Sequence, residues 1–210
     1  MIKKSITLVT GIMVVCLVLM GVLSCNGQER SEQEIPSDFT TYTDEIGLFS
    51  ISYPSEWETA LSSMGITEEA VKDYISSIDS NVPINEAQYI FAAGLPVTEG
   101  YMPNVNIVVE PLPQGAFTHD EYVEANIIGI KDIVSDYRLF SQKKTKINGK
   151  TTTILDYEGT YPQLGVFRCK QSMLITGNNG WVVSCVPPQG EFSLWEDDFD
   201  AILKSLRVND

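Results

Sequence analysis

Residues 138–161 read "RLFSQKKTKINGKTTTILDYEGTY". Two strand-like runs flank Asn148-Gly149. That dipeptide suits a two-residue hairpin turn, because both central positions need positive φ. The arrangement repeats directly downstream, where "GVFRCKQSMLIT" (165–176) and "GWVVSCVPP" (180–188) flank "GNNG" (177–180). Hairpins that follow one another build an antiparallel sheet.

The segments on either side of this run read as helices. "FTHDEYVEANIIGIKDIVSDY" (117–137) opens on a capping box, Thr118 with Glu121, and carries Val123, Ile127, Ile130 and Val134 as one apolar stripe. "SLWEDDFDAILKSLRV" (193–208) pairs Ser193 with Glu196 in a second predicted capping box. Trp195, Phe199, Ile202 and Leu206 line its apolar face. Amphipathic helices at both ends of the hairpin run must cover the sheet.

Further upstream, "LFSISYP" (48–54) alternates Phe49, Ile51 and Tyr53 with Leu48, Ser50 and Ser52, a half-buried strand ended by Pro54. "AQYIFAAG" (87–94) and "NVNIVVEPL" (104–112) are further strands. "ITEEAVKDYISSI" (66–78) is a predicted helix capped by Thr67, with a stripe of Val71, Tyr74, Ile75 and Ile78. Ile66 and Val71 suit a hydrophobic staple across that cap. The sum is one α+β domain over residues 42–210, with six or seven strands in its sheet and helices on its faces. A chain of 210 residues with 43% apolar composition, 3 Trp, 9 Tyr and 8 Phe is long enough and apolar enough for such a core.

The N-terminus is a separate matter. "MIKK" (1–4) is a short positive segment, and residues 5–24 carry no charge. That layout suits a secretory signal, and the run is also long enough for a plain membrane anchor. Val22-Leu23-Ser24-Cys25 resembles a bacterial lipobox. In proteins with that motif the leader is cut before the cysteine, which then carries diacylglycerol and an amide-linked fatty acid. The resemblance therefore implies that residues 1–24 are a signal peptide and that Cys25 is lipidated. Two or three acyl chains, at about 0.8 kcal/mol per buried CH₂, hold a protein that one chain would not. Cys16 lies inside the leader. Residues 26–41, "NGQERSEQEIPSDFTT", read as a flexible tether with a reach of roughly 20 Å. Asn26 is not the Asp that resembles an inner-membrane retention signal, which favours the outer membrane where an organism has two.

The chain has 28 acidic and 14 basic residues. Without Lys3 and Lys4 of the leader, the net charge is −16. Such a surface repels nucleic acid and anionic headgroups alike. It serves solubility or a basic partner.

"GLFSISYPSEWE" (47–58) resembles the opening of the PsbP-like, Mog1-like and DcrB-like proteins, and "FDAILKSLRV" (199–208) resembles their terminal helix. The order of elements over residues 46–208 is similar too, with residues 61–82 looking like an insertion. The resemblance implies an α/β/α sandwich with a central antiparallel sheet. It implies no single activity. Relatives range from photosystem accessory subunits to a nuclear-transport factor, and many are bacterial lipoproteins of unknown role.

Chemistry-bearing residues are few. Tyr53 and Trp57 read as core packing. His119, the one histidine, falls in a first helical turn beside Asp120 and Glu121, with no G-x-S-x-G elbow in the chain, and reads as an exposed helix-start residue. "NGKTTT" lacks the upstream Gly of a phosphate loop, since Lys144 stands there. Glu196, Asp197, Asp198 and Asp200 lack the spacing of a calcium loop and read as a solvated helix face. Cys169 and Cys185 share strand parity with apolar neighbours that lets both face one side, so a disulfide depends on register; two buried free thiols are the alternative. A two-residue turn at Asn178-Asn179 pairs Cys185 with Ser172, and a five-residue connection pairs the two cysteines. There is no C-x-x-C.

The expectation is a non-catalytic, lipid-anchored binding or accessory protein on the outer face of a bacterial membrane, with another envelope protein as partner. The alternative is a carrier of a small lipid or metabolite in a pocket between sheet and helix. No cofactor, metal or nucleic acid is expected.

Overall fold

The computed structural model describes residues 35–44, 47–59, 88–95, 102–161 and 165–209. In chain order these form β1 (Phe39–Thr43), β2 (Phe49–Pro54), β3 (Glu58–Thr59), β4 (Gln88–Gly94), β5 (Asn104–Pro111) and α1 (His119–Ile133). There follow β6 (Ser135–Ile147), β7 (Lys150–Tyr161), β8 (Gly165–Thr176), β9 (Asn179–Val186), α2 (Phe192–Ser205) and β10 (Arg207–Val208). The leader, Cys25, most of the tether and the predicted helix at 66–78 with its staple lie outside the described residues.

Seven strands form one antiparallel sheet in the order β3-β4-β5-β9-β8-β7-β6. A second sheet, β1-β2-β10, has three antiparallel strands. The expected sandwich is therefore present, with seven strands in its central sheet. β1 takes up residues 39–41, which composition had given to the tether. Phe39 and Tyr42 pack against the core, and that packing draws the segment into the fold.

The hairpins follow from their turns. Asn148 and Gly149 take φ of 48° and 81°, and Ile147 pairs with Lys150. In the second hairpin Gly177 takes φ of 55° and Thr176 pairs with Asn179. The turn is thus Gly177-Asn178, one residue earlier than the tight turn read from the sequence. A glycine at the first central position removes the steric cost of positive φ there.

Each face of the large sheet holds its own core. On one side Val123, Ile127 and Ile130 of α1 meet Leu155, Tyr157, Met173 and Val182. On the other, Phe199, Ile202 and Leu203 of α2 join Phe49 and Ile51 of β2 over Ile107, Leu174, Trp181 and Val183. Ser205 fastens α2 to the small sheet: the Ser52 N–H donates to its Oγ at 2.8 Å, and that Oγ donates to the Ile202 carbonyl at 2.7 Å. Ser52, on the strand face expected to be polar, is consequently buried.

The Thr118–Glu121 capping box is formed as predicted. α1 stops at Ile133, and residues 135–137 belong to β6 instead of the helix. The Ser193–Glu196 box is not formed. α2 begins at Phe192 with Glu191 as its cap and no side-chain cap bond. Phe192 packs edge-on to Phe199 with centroids 6.1 Å apart, which draws the helix start one residue upstream.

Candidate functional site

The sheet register separates Cys169 from Cys185. Cys185 pairs with Lys170, so it faces α2, whereas Cys169 lies one residue away on the α1 side. Both are free and fully buried. Side chains of opposite parity cannot meet across a sheet, so the reading that put both thiols on one face is corrected. Burial pushes the Cys169 thiol up to about 12 and raises Cys185 well above its ordinary value.

His119 is half-buried, not exposed as expected, and its Nε2 is 2.9 Å from Thr153 Oγ1. Burial, then Lys144, lowers its pKa. Tyr53 and Trp57 are core residues, as read. Of the acidic run, Glu196 and Asp200 are not merely solvated. Both pair with Lys170, which is buried on the sheet, and Asp200 also accepts from Lys204 at 2.9 Å. Because α2 starts at Phe192, this run lies past its first turn.

A more specific arrangement sits on the sheet beside the start of α2. Arg168 on β8 donates through Nε and Nη2 to the two oxygens of Asp156 on β7, at 2.9 and 2.7 Å. Asp156 pairs with Lys170, so Arg168 is its diagonal neighbour on the same face. The guanidinium lies between two rings, 4.1 Å from the Phe140 centroid and 3.7 Å from that of Phe192. Arg138 adds a second cation 4.8 Å from Phe140. Phe140 reaches this face because it follows Leu139, which packs on the α1 side of the sheet.

Phe140 and Val166 remain 39% and 41% exposed, so apolar surface meets solvent beside an immobilised guanidinium. Asp156 raises the Arg168 pKa further. A planar cation fixed by a fork of hydrogen bonds and by stacking loses little freedom on contact with a partner. Aromatic and Arg side chains are the types that dominate binding surfaces. Sequence reading missed Arg168. Its only signal was a charge among apolar neighbours, and Lys170 on the same strand gives the same signal.

The α1 side of the sheet holds a second polar group. Glu110 on β5 is buried and accepts from Tyr122 Oη at 2.9 Å. Burial pushes its carboxyl up to about 7, against the opposing pull of Tyr122 and Asn126. Further along the sheet, Tyr157 Oη on β7 donates to Gln171 Oε1 on β8 at 3.1 Å. Glu110 was also missed, although it shares strand parity with Val108 and so had to face a covered side.

Among the described residues no helix is long and apolar enough to cross a membrane, and no group of three or more potential ligands converges on a metal position. No family model and no curated protein matches the chain. Solved structures do match in fold. Cyanobacterial PsbP from Synechocystis sp. PCC 6803 is 11% identical with a TM-score of 0.53, over 90% of this chain and 99% of that one. A protein of unknown function from Pseudomonas aeruginosa is 11% identical with a TM-score of 0.46, over 83% and 99%. A Bacteroides thetaiotaomicron protein is 12% identical with a TM-score of 0.49, over 82% of this chain and 49% of that one. The likeness to cyanobacterial PsbP establishes the PsbP fold, and at this identity it establishes the fold alone.

Proposed function

We propose that this chain is a non-catalytic accessory protein, held by a lipid on Cys25 at the outer face of a bacterial membrane, that binds another envelope protein through the Arg168 surface. The observation that carries the reading is the Phe140–Arg168–Phe192 stack, preorganised by Asp156 and open to solvent at Phe140 and Val166. The order of charged start, apolar run, small residue and cysteine supports the anchor. The net charge of −14 argues against nucleic acid as the partner.

Two measurements test it. Mass analysis of the mature N-terminal peptide should find Cys25 first in the chain and acylated; an unmodified thiol still joined to its leader overturns the anchor. A photoreactive residue at Val166 of the full chain, activated in intact cells, should capture one reproducible envelope protein, and capture should fail when Phe140→Asp is added. Free monomer with a co-purifying lipid or metabolite would replace the partner reading with that of a carrier.

A further inference from the structure

Glu110 lies on the α1 side of β5, opposite Gly180 of β9. Tyr122 of α1 reaches it only because Gly180 has no side chain. A Cβ there would stand 2.4–2.5 Å from Cζ, Cε2 and the hydroxyl of Tyr122. The phenol donates to Glu110 Oε2 at 2.9 Å. One turn later, Asn126 donates from Nδ2 to the Tyr122 carbonyl at 3.1 Å. This bond fixes the amide orientation, since turning it over would set Oδ1 against another acceptor. The buried Asn126 side chain neighbours both the carboxyl and the phenol.

A donor and acceptor count then leaves two buried atoms over. Among the described residues, Glu110 Oε1 and Asn126 Oδ1 have no hydrogen-bond partner. Both are acceptors while the carboxyl is charged, and such buried orphans are rare in native proteins. One proton on Oε1 makes it a donor, and Asn126 Oδ1 is then its acceptor. No cation does this work among the described residues. β9 presents Gly180, and α1 presents Tyr122 and Asn126. His119, Asp120 and Glu121 in the first turn of α1 are engaged with Thr153, Lys144 and Thr118.

We propose that Glu110 is a carboxylic acid in the folded protein, that its proton joins Oε1 to Asn126 Oδ1, and that loss of the proton loosens α1 from β5. Burial supplies the energetic side, holding the group near pH 7 in the fold against an ordinary value of 4.5. The sign follows from proton linkage. A carboxyl with a raised folded pKa binds its proton more tightly when folded. The clasp is thus complete below about pH 4.5, weakens as pH rises through 7, and is fully lost above that. A protein at the cell exterior meets the ambient pH directly, although the clasp does not depend on the anchor or on the Arg168 surface.

The test uses the full chain between about pH 4 and 9 and reads two signals. One is the infrared band of a buried protonated carboxyl, assigned by its loss in Glu110→Gln. The other is amide exchange in α1 after correction for intrinsic rates. The band should be present on the acid side and disappear with a midpoint near 7. Opening of α1 should rise between about pH 4.5 and 7 by up to roughly 300-fold and level off above that. Glu110→Gln, neutral at every pH and still a donor toward Asn126, should hold α1 closed throughout. Tyr122→Phe removes a donor that favours the charged form, so the band midpoint should move up. Absence of the acid-side band, or α1 exchange that ignores pH, overturns the proposal. If Glu110→Gln does not fold, the wild-type band and the Tyr122→Phe shift decide it.

Discussion

The side-chain amide of Asn148, at the tip of the β6–β7 hairpin, donates to the carbonyl of Leu206 at 2.6 Å across 58 residues of sequence. It also reaches the Lys204 carbonyl at 3.4 Å, and its Oδ1 accepts from Arg207 Nη1 at 2.9 Å. Carbonyls at a helix C-terminus lack partners within the helix. The turn residue of the hairpin therefore closes α2, and one asparagine serves both the left-handed turn and the helix end.

Substitutions at this position separate the two roles. Asn148→Gly keeps the positive φ and removes the side-chain bonds. Asn148→Asp keeps the turn preference but sets carboxylate oxygens against the two carbonyls. We expect Asn148→Gly to cost about 1 kcal/mol and Asn148→Asp to cost more, about 2 kcal/mol. Urea unfolding of both variants checks this. Equal stability of wild type and Asn148→Gly would mean that the amide contributes nothing at α2.

The hairpin itself was legible from Asn148-Gly149, because few dipeptides accept two positive φ values in succession. Its bond to α2 was not, because contacts between residues so far apart leave no local pattern. The same limit explains the other differences. The capping box at Thr118 formed because local pattern and packing agree there. The one read at Ser193 did not form, because the packing of Phe192 decided where α2 starts. The facing of the two cysteines turned on the length of the β8–β9 connection: a two-residue turn, at Gly177-Asn178 or at Asn178-Asn179, sends Cys169 and Cys185 to opposite faces, and only an odd connection pairs them. Arg168 and Glu110 sat on strands that were read correctly, but periodicity does not say which strand face a helix leaves open.

Gly159 on β7 is required by Val134, the residue that ends α1. A Cβ at Gly159 would stand 2.0 Å from Val134 Cγ1 and 3.2 Å from the Ser135 carbonyl. Val134 is buried and, being β-branched, has little rotamer freedom. Gly159→Ala should cost about 2–3 kcal/mol. Adding Val134→Ala should restore part of that loss, so that the double variant is more stable than the two separate costs imply. Simple additivity in chemical denaturation would show that the clash is relieved elsewhere.

Cys169 and Cys185 should be inert in the folded protein. Each is fully buried with a raised pKa, and the thiolate is the reactive form. Iodoacetamide at mildly alkaline pH should leave both unmodified, and denaturant should expose both to it. Peptide mass after oxidising storage should show no bond between them. Such a bond would contradict the register that pairs Cys185 with Lys170.

The Arg168–Asp156 pair should respond differently to the loss of charge and the loss of shape. The Asp156 side chain is 8% exposed and that of Arg168 is 28% exposed, so water screens the pair only in part. Arg168→Lys keeps a positive charge but loses the two-pronged bond and the stacking on Phe140 and Phe192. It should cost about 1–2 kcal/mol and leave Asp156 with a single, less directional partner. Arg168→Ala strands a buried carboxylate and should cost more, about 3 kcal/mol. Asp156→Asn is the more informative change for function. It keeps the volume and one acceptor oxygen while releasing half of the fork, so the guanidinium gains freedom without leaving the surface. Folding should then be only mildly affected, and capture of a partner through Val166 should fall much further than stability does. If capture and stability fall in proportion across all three variants, Arg168 acts through the fold alone, and the open stack at Phe140 is packing and not a binding surface.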